Sequence, residues 1–370
     1  MNRTTLRRAA LPAALALSFG LASCSGQNEP SGDASATSGA SSSSLSGELA
    51  GAGSSAQQVA QQTWGAGFNA ANPDVTVNYD PAGSSAGREQ FVTGATAFGG
   101  SDAALDEEEL AQAEERCSGG NAMDLPVYIS PIAVAYNLEG VENLQLSPVT
   151  LANIFNGTIT TWNDPAIAAD NPGVTLPSTA ITPVHRSDGS GTTENFTAYL
   201  NDVAPEAWTS EPDSEWPLPG GEAAQGTSGV VQAVTSAAGS ITYADLSQVE
   251  QNNLPAASIK VGDTFVAPSA EGAAAAVDAS PEAEGRPEGD IAIELDHNTT
   301  AAGAYPVALV SYLLVCSSYE DATQGELVKA YAEYVISEEG QQAAADAAGS
   351  APISEELRSQ ITESLDRIGA

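Results

Sequence analysis

Apolar positions along the chain change period in a regular order. Ala60, Trp64 and Phe68 recur every fourth residue, which predicts a helix over 57–71 stopped by Asn72-Pro73. VTVNY (75–79) alternates and predicts a strand. GREQFVTG (87–94) reads as a short helix, TAFGG (96–100) as a short strand and DEEELAQAEE (106–115) as a solvated acidic helix. LPVYISPIAVAYNL (125–138) is long, apolar and rich in strand formers. Ser147-Pro148 is a cap and first-turn pair for the helix VTLANIF (149–155). ITPVHRS (181–187) and SITYA (240–244) predict strands, and TTENFTAYL (192–200) and GVVQAVTSAA (229–238) predict helices. PVALVSYLLV (306–315) is too short to span a bilayer and predicts a buried strand. Helices follow near 323–338 and 353–368, with SEEGQQAAADAA (337–348) between or extending them. The Pro-, Gly- and Glu-rich stretches 202–225 and 268–290 read as loops. Strands alternating with helices predict an α/β architecture with mostly parallel sheets.

Composition narrows the function. The 370 residues give room for two lobes, and 42% hydrophobic content supplies their cores. The 48 acidic against 11 basic residues leave a net charge of −37. Such a chain lacks the clustered Lys and Arg that nucleic acid requires, and it would be repelled by acidic lipid headgroups. The acidity fits solubility outside a cell.

The first residues read as a targeting segment. Arg3, Arg7 and Arg8 precede a short apolar run, Ala9 to Leu21, that ends in Leu21-Ala22-Ser23-Cys24. Small residues before that cysteine resemble the lipobox of bacterial lipoproteins. The resemblance implies a signal peptide over 1–23, cleavage before Cys24 and lipidation of its sulfur; the plain alternative is an ordinary signal peptide with a chance cysteine. Residues 24–46, mostly Ser, Gly and Ala, predict a flexible linker with a reach of roughly 25 Å. Of the other two cysteines, Cys117 and Cys316 either pair with each other in an oxidising compartment or stand as free thiols.

Candidate chemistry lies in three turns of one design: a strand, a Gly/Ser-rich turn, then a helix. They are Gly51-Ala52-Gly53-Ser54-Ser55-Ala56, Gly83-Ser84-Ser85-Ala86-Gly87-Arg88, and HRSDGSGTTENF (185–196). Each offers free N–H groups and hydroxyls at the positive end of a helix, which suits an oxyanion. A lone turn of this kind is ordinary in α/β proteins; three can converge. A fourth segment, AFGGSDAAL (97–105), puts Asp102 at a strand end, either as a helix cap or as a ligand acceptor. No cluster has metal-ligand spacing. Gly83 to Gly87 also fits G-x-S-x-G, so an α/β serine hydrolase using Ser85, with His297 later in the chain, is a rival reading. A surface lipoprotein without a small ligand is another.

Together these segments resemble the substrate-binding lipoprotein of the bacterial ABC-type phosphate transporter, of actinobacterial type, over most of 47–370. GAGSSA and GSSAG are similar to that family's first two anion loops, FGGSDAAL to its Phe-Gly-x-Ser-Asp element, and HRSDGSGTTENF matches its Arg-x-Asp-Gly-Ser-Gly-Thr loop in full. IFNGTITTWNDPAIAADNPG (154–173) also looks like the family, away from any site. The resemblance implies a periplasmic-binding-protein type II fold: two α/β lobes, 47–127 with 302–370 and 128–301, joined by two crossover strands with the ligand in the cleft. It implies high-affinity binding of inorganic phosphate, no cofactor and no enzymatic activity. The protein would be a monomer, lipid-anchored through Cys24 at the extracellular face of the cell membrane, and would deliver phosphate to membrane permease subunits. Arg186 would be the single cationic contact, oriented by Asp188. Ser190, Gly191, Thr192, Ser84, Ser85, Ser54, Ser55 and the N–H of Ala56 would donate, and Asp102 would accept. The first loop departs from the family, which usually has Thr-Phe where this chain has Ser55-Ala56. Arg88, beside the second loop, has no role in this scheme. Another oxyanion is the closer alternative ligand, against which Asp102 argues.

Overall fold

The computed structural model describes residues 45–369. The expected signal peptide, Cys24 and all but the end of the linker lie outside them. The chain runs β1 (Gly47–Gly53), α1 (Gln58–Ala71), β2 (Val75–Asp80), α2 (Ser84–Val92), β3 (Phe98–Ser101), α3 (Glu107–Arg116) and β4 (Ala122–Tyr136). Next come β5 (Gln145–Leu146), α4 (Pro148–Phe155), α5 (Pro165–Asp170), β6 (Thr182–Arg186), α6 (Gly191–Val203), β7 (Glu222–Ala224) and α7 (Gly226–Ser236). It continues with β8 (Ser240–Asp245), α8 (Leu246–Gln251), β9 (Ser258–Val261), β10 (Thr264–Val266), α9 (Ala270–Asp278) and β11 (Ala308–Cys316). Helices α10 (Ala322–Ile336), α11 (Glu338–Ala348) and α12 (Glu355–Leu365) close it.

One eight-stranded sheet, ordered β2-β1-β3-β11-β4-β8-β6-β7, carries the architecture. Its wings are parallel: β1 pairs with β2 and β3, and β6 with β7 and β8. Its centre is antiparallel, because β11 runs against β3 and β4, and β4 against β8. The expectation of mostly parallel sheets therefore holds only for the wings. The fifteen residues of β4 are buried throughout and serve both sides: Ala122 to Pro131 pair with β11, and Ile132 to Tyr136 with β8. A return crossing lies alongside, where Ile132 N–H donates to Val307 O at 2.8 Å. These two adjacent passages link the halves of the sheet. A small sheet, β10-β9-β5, stands apart.

The helix stripe of α1 is buried as its spacing demands. Trp64 and Phe68 are 0% and 3% exposed, and Trp64 Nε1 donates to Gly340 O at 2.8 Å on α11. Ser147 occupies the cap position of α4, yet its hydroxyl meets Thr150 and Asp170 instead of a free amide. The segment 268–290, expected to be a loop, contains α9. Ser269 caps it by accepting from Gly272 N–H, and the alanine run behind that cap is a strong helix former. The surrounding Pro and Glu hid it. Cys117, at the end of α3, is disulfide-bonded to Cys316, at the end of β11, with the Cα atoms 5.1 Å apart.

Candidate functional site

The parallel wings place helix N-termini along the inner edge of the sheet. β1 leads through Ser54 to Gln57 into α1, β2 through Gly83 into α2, and β6 through Asp188 to Ser190 into α6. A fourth N-terminus, that of α7 after β7, joins them. Close approach is built into the glycines. A Cβ on Gly87 would sit 2.4 Å from Gly53 Cα, and one on Gly191 2.8 Å from Asp102 Cβ. Gly83, at φ 105°, turns the chain where a side chain would strike Asp188 Oδ2 at 2.7 Å.

Asp102 is 2% exposed and sits between the halves. Its Oδ2 accepts from Thr192 Oγ1 at 2.8 Å, and its Oδ1 accepts from Ser311 Oγ. Asn195 Nδ2 holds its carbonyl at 2.6 Å, and its N–H donates to Ser84 Oγ at 3.2 Å. Arg186, 3% exposed, donates through Nε to Asp188 Oδ1 at 2.8 Å and through Nη2 to Asp188 Oδ2. The same Oδ1 receives Gly226 N–H at 2.9 Å, so Asp188 ties the guanidinium to the start of α7. Burial raises the Asp188 carboxyl, but hydrogen bonds and charge from Arg186 outweigh it and leave it below the usual carboxylate range.

The predicted donors fall into two groups. Ser55, Ser84, Asp102 and Thr192 bond to one another or to partners across the cleft: Ser55 Oγ receives Thr227 N–H at 3.0 Å and meets Thr227 Oγ1 at 3.0 Å. Ser54 braces the turn ahead of α1, and Ser190 caps α6. Ser54 Oγ receives Ala56 N–H at 3.1 Å and Gln57 N–H at 3.3 Å, and Ser190 Oγ receives Thr193 N–H at 3.2 Å. Ser85 Oγ is buried with no hydrogen-bond partner, packed against Gly189. Neither histidine bonds to it: His185 meets Arg186 O and Gly220 O, and His297 meets Pro306 O. The base a serine hydrolase needs is thus not on Ser85.

Arg88, left without a role by the sequence, pairs with Glu109 at 2.8 Å and reaches Ser101 Oγ at 3.2 Å, bracing the strand end that carries Asp102. Sequence reasoning missed Ser311, Gly226 and Thr227. The two on α7 sit in GTSG, a Gly/Ser turn like the other three, so that signal was available; Ser311 had none, lying inside an apolar strand. A cavity of about 330 Å³ opens beside Asp102, lined by Glu194, Asn195, Asp202 and His297 among others. A surface groove of about 980 Å³ near Arg116 and Glu320 contains none of these residues.

Comparison with known proteins accords with this geometry. A family model described as a PBP superfamily domain matches residues 38–339. Phosphate-binding protein PstS 3 of Mycobacterium tuberculosis is 37% identical over 317 residues, 81% of each chain. Phosphate-binding protein PstS 2 of the same organism is 35% identical over 349 residues, 93% of each. Among solved structures, a high-affinity periplasmic phosphate-binding protein, PfluDING, bound with phosphate, superposes with a TM-score of 0.69 at 22% identity, covering 86% of this chain and 93% of that one. The fold is therefore the expected type II one of two α/β lobes joined by crossover strands. The chain belongs to the PBP superfamily and, within it, to the family of the PstS phosphate-binding proteins.

Proposed function

We propose that the protein binds inorganic phosphate outside the cell membrane and hands it to the permease subunits of an ABC transporter, without catalysing a reaction. One observation carries this reading: helix N-termini from both wings of the sheet converge on a buried carboxylate, Asp102, and a buried guanidinium, Arg186. Phosphate would enter between them and displace the contacts that Ser55 makes with Thr227, and Ser84 and Thr192 with Asp102. Asp188 occupies Nε and Nη2 of Arg186, and the anion takes the Nη1 edge. Ser54, Ser55, Ser84, Ser85, Ser190 and Thr192 supply hydroxyls, and Ala56 and Gly191 supply N–H groups. Neutral donors suffice at hydrogen-bond range, while the large negative charge of the chain is screened beyond about 8–10 Å at physiological salt.

Asp102 sets the choice of anion. Phosphate at neutral pH keeps a proton to donate to it; sulfate does not, and its oxygen would face the carboxylate unpaired. Sites of this kind reject an analogue lacking the hydrogen by about 10⁴-fold or more. The lobes 47–127 with 302–370 and 128–301 would close on the anion about the β4 crossing, and the closed monomer would be what the permease recognises. A lipid on Cys24 and the linker 24–46 would hold it at the extracellular face. Equilibrium binding of labelled phosphate with competitors tests this. Arsenate, which keeps the protonated geometry, is expected to compete and sulfate to fail; competition by sulfate without arsenate would overturn the assignment.

A further inference from the structure

A directed chain of hydrogen bonds runs through the core to Asp102. Tyr331 OH donates to Gln61 Oε1 at 2.8 Å, Gln61 Nε2 donates to Gln57 Oε1 at 2.7 Å, and Gln57 Nε2 donates to Ser311 Oγ at 2.6 Å. Ser311 Oγ in turn donates to Asp102 Oδ1. All five side chains are buried, none more than 2% exposed. The direction is fixed by one atom. Gln57 Nε2 also lies 2.9 Å from the carbonyl of Tyr312, which only accepts, so the amide face must point there and at Ser311. Its oxygen then faces Gln61, which must donate, and Tyr331 must donate in turn. Ser311, receiving an N–H, has its proton to give, and the Asp102 carboxylate lies in line for it; the carbonyl of Ser101, at 3.3 Å, is the weaker alternative.

We propose that Ser311 and Gln57 are positioning residues for anion selectivity: they hold Asp102 as an acceptor, so that its other oxygen must receive a proton from the ligand. This rests on the phosphate reading above. A carboxylate oxygen pinned toward the ligand leaves a sulfate oxygen facing it unpaired; freed of the Ser311 bond, the carboxylate can turn aside and that penalty falls away. Loss of the Ser311 hydroxyl therefore acts chiefly by admitting sulfate, not by weakening phosphate.

The test is the ratio of sulfate to phosphate dissociation constants, measured calorimetrically at pH 7 for the full chain, Ser311→Ala, Gln57→Met and Asp102→Asn. The ratio is expected to fall about tenfold in Ser311→Ala, the scale of one hydrogen bond to a charged group. It should fall less in Gln57→Met, where the hydroxyl remains but is free to turn, and most in Asp102→Asn. Ligand-free unfolding temperatures identify variants that have lost their structure; should Ser311→Ala not fold, Gln57→Met decides. A wild-type ratio in Ser311→Ala and Gln57→Met, or an equal loss of both anions, overturns the proposal. An unmodified protein with no preference for phosphate overturns the functional reading itself.

Discussion

At the scale of single residues, Asp188 shows how one side chain serves two elements. Its carboxylate grips Arg186 at two points and takes the first amide of α7. Asparagine keeps the size and one acceptor oxygen but loses the charge and the two-point geometry. Asp188→Asn is therefore expected to weaken phosphate binding by about tenfold to a hundredfold, the cost of unpairing a buried guanidinium. Titration calorimetry reads this directly, and an unchanged affinity would mean that Arg186 is oriented by something else. The Arg186-Asp188 pair was reached through the resemblance of HRSDGSGTTENF to the family's anion loop. The partners of Asp102 were only half legible. Thr192 belongs to a recognisable motif, whereas Ser311 is one hydroxyl in an apolar strand that only the antiparallel pairing of β11 brings to Ser101. Tertiary neighbours of that kind leave no local trace.

Between elements, the site depends on how closely α2 approaches the sheet. Gly87 faces the backbone of β1 and β3: an added Cβ would lie 2.4 Å from Gly53 Cα and 2.8 Å from both Ala52 O and Gly100 O. Backbone cannot rotate aside as a side chain does, so the helix must move. Gly87→Ala is expected to cost about 1–3 kcal/mol in urea unfolding and to weaken anion binding, since Ser84 rides on the same helix. Stability within about 0.5 kcal/mol of wild type would show that α2 shifts freely. The strand-turn-helix units were the most readable part of the chain, because periodicity switches sharply at each glycine turn. Helix α9 was missed because a capped alanine run lies inside a stretch whose overall composition is that of a loop. The antiparallel centre was missed for a different reason: hydrophobic pattern identifies a buried strand but not its direction.

Over the whole molecule, two features reach beyond any one element. The Cys117–Cys316 bond ties positions 199 residues apart, and removing it with Cys117→Ser/Cys316→Ser is expected to lower stability by about 5 kcal/mol if chain entropy governs. Chemical unfolding with and without the bond measures the loss. The second feature is Asp245, at the end of β8 opposite Ile132, where β4 passes from one half to the other. Burial pushes its carboxyl up to about 6 against an ordinary 3.8, and hydrogen bonds from Ser247, Ser130 and Tyr128 offset only part of that rise. A raised carboxyl favours the folded state while it holds its proton. The contribution is complete below about pH 4 and is lost as pH climbs through about 6, where the folded chain must carry a buried charge. His297, which burial holds below its ordinary value of 6.5, works the other way, losing stability as pH falls below that point. Wild-type stability alone would blend the two, so Asp245→Asn separates them. The amide retains an acceptor for the Ser247 N–H that caps α8 but cannot ionise. Relative to wild type, its unfolding free energy is expected to rise by about 3 kcal/mol between pH 4 and pH 8. A difference that stays flat across that range would place the Asp245 charge in contact with water and remove it from the crossing.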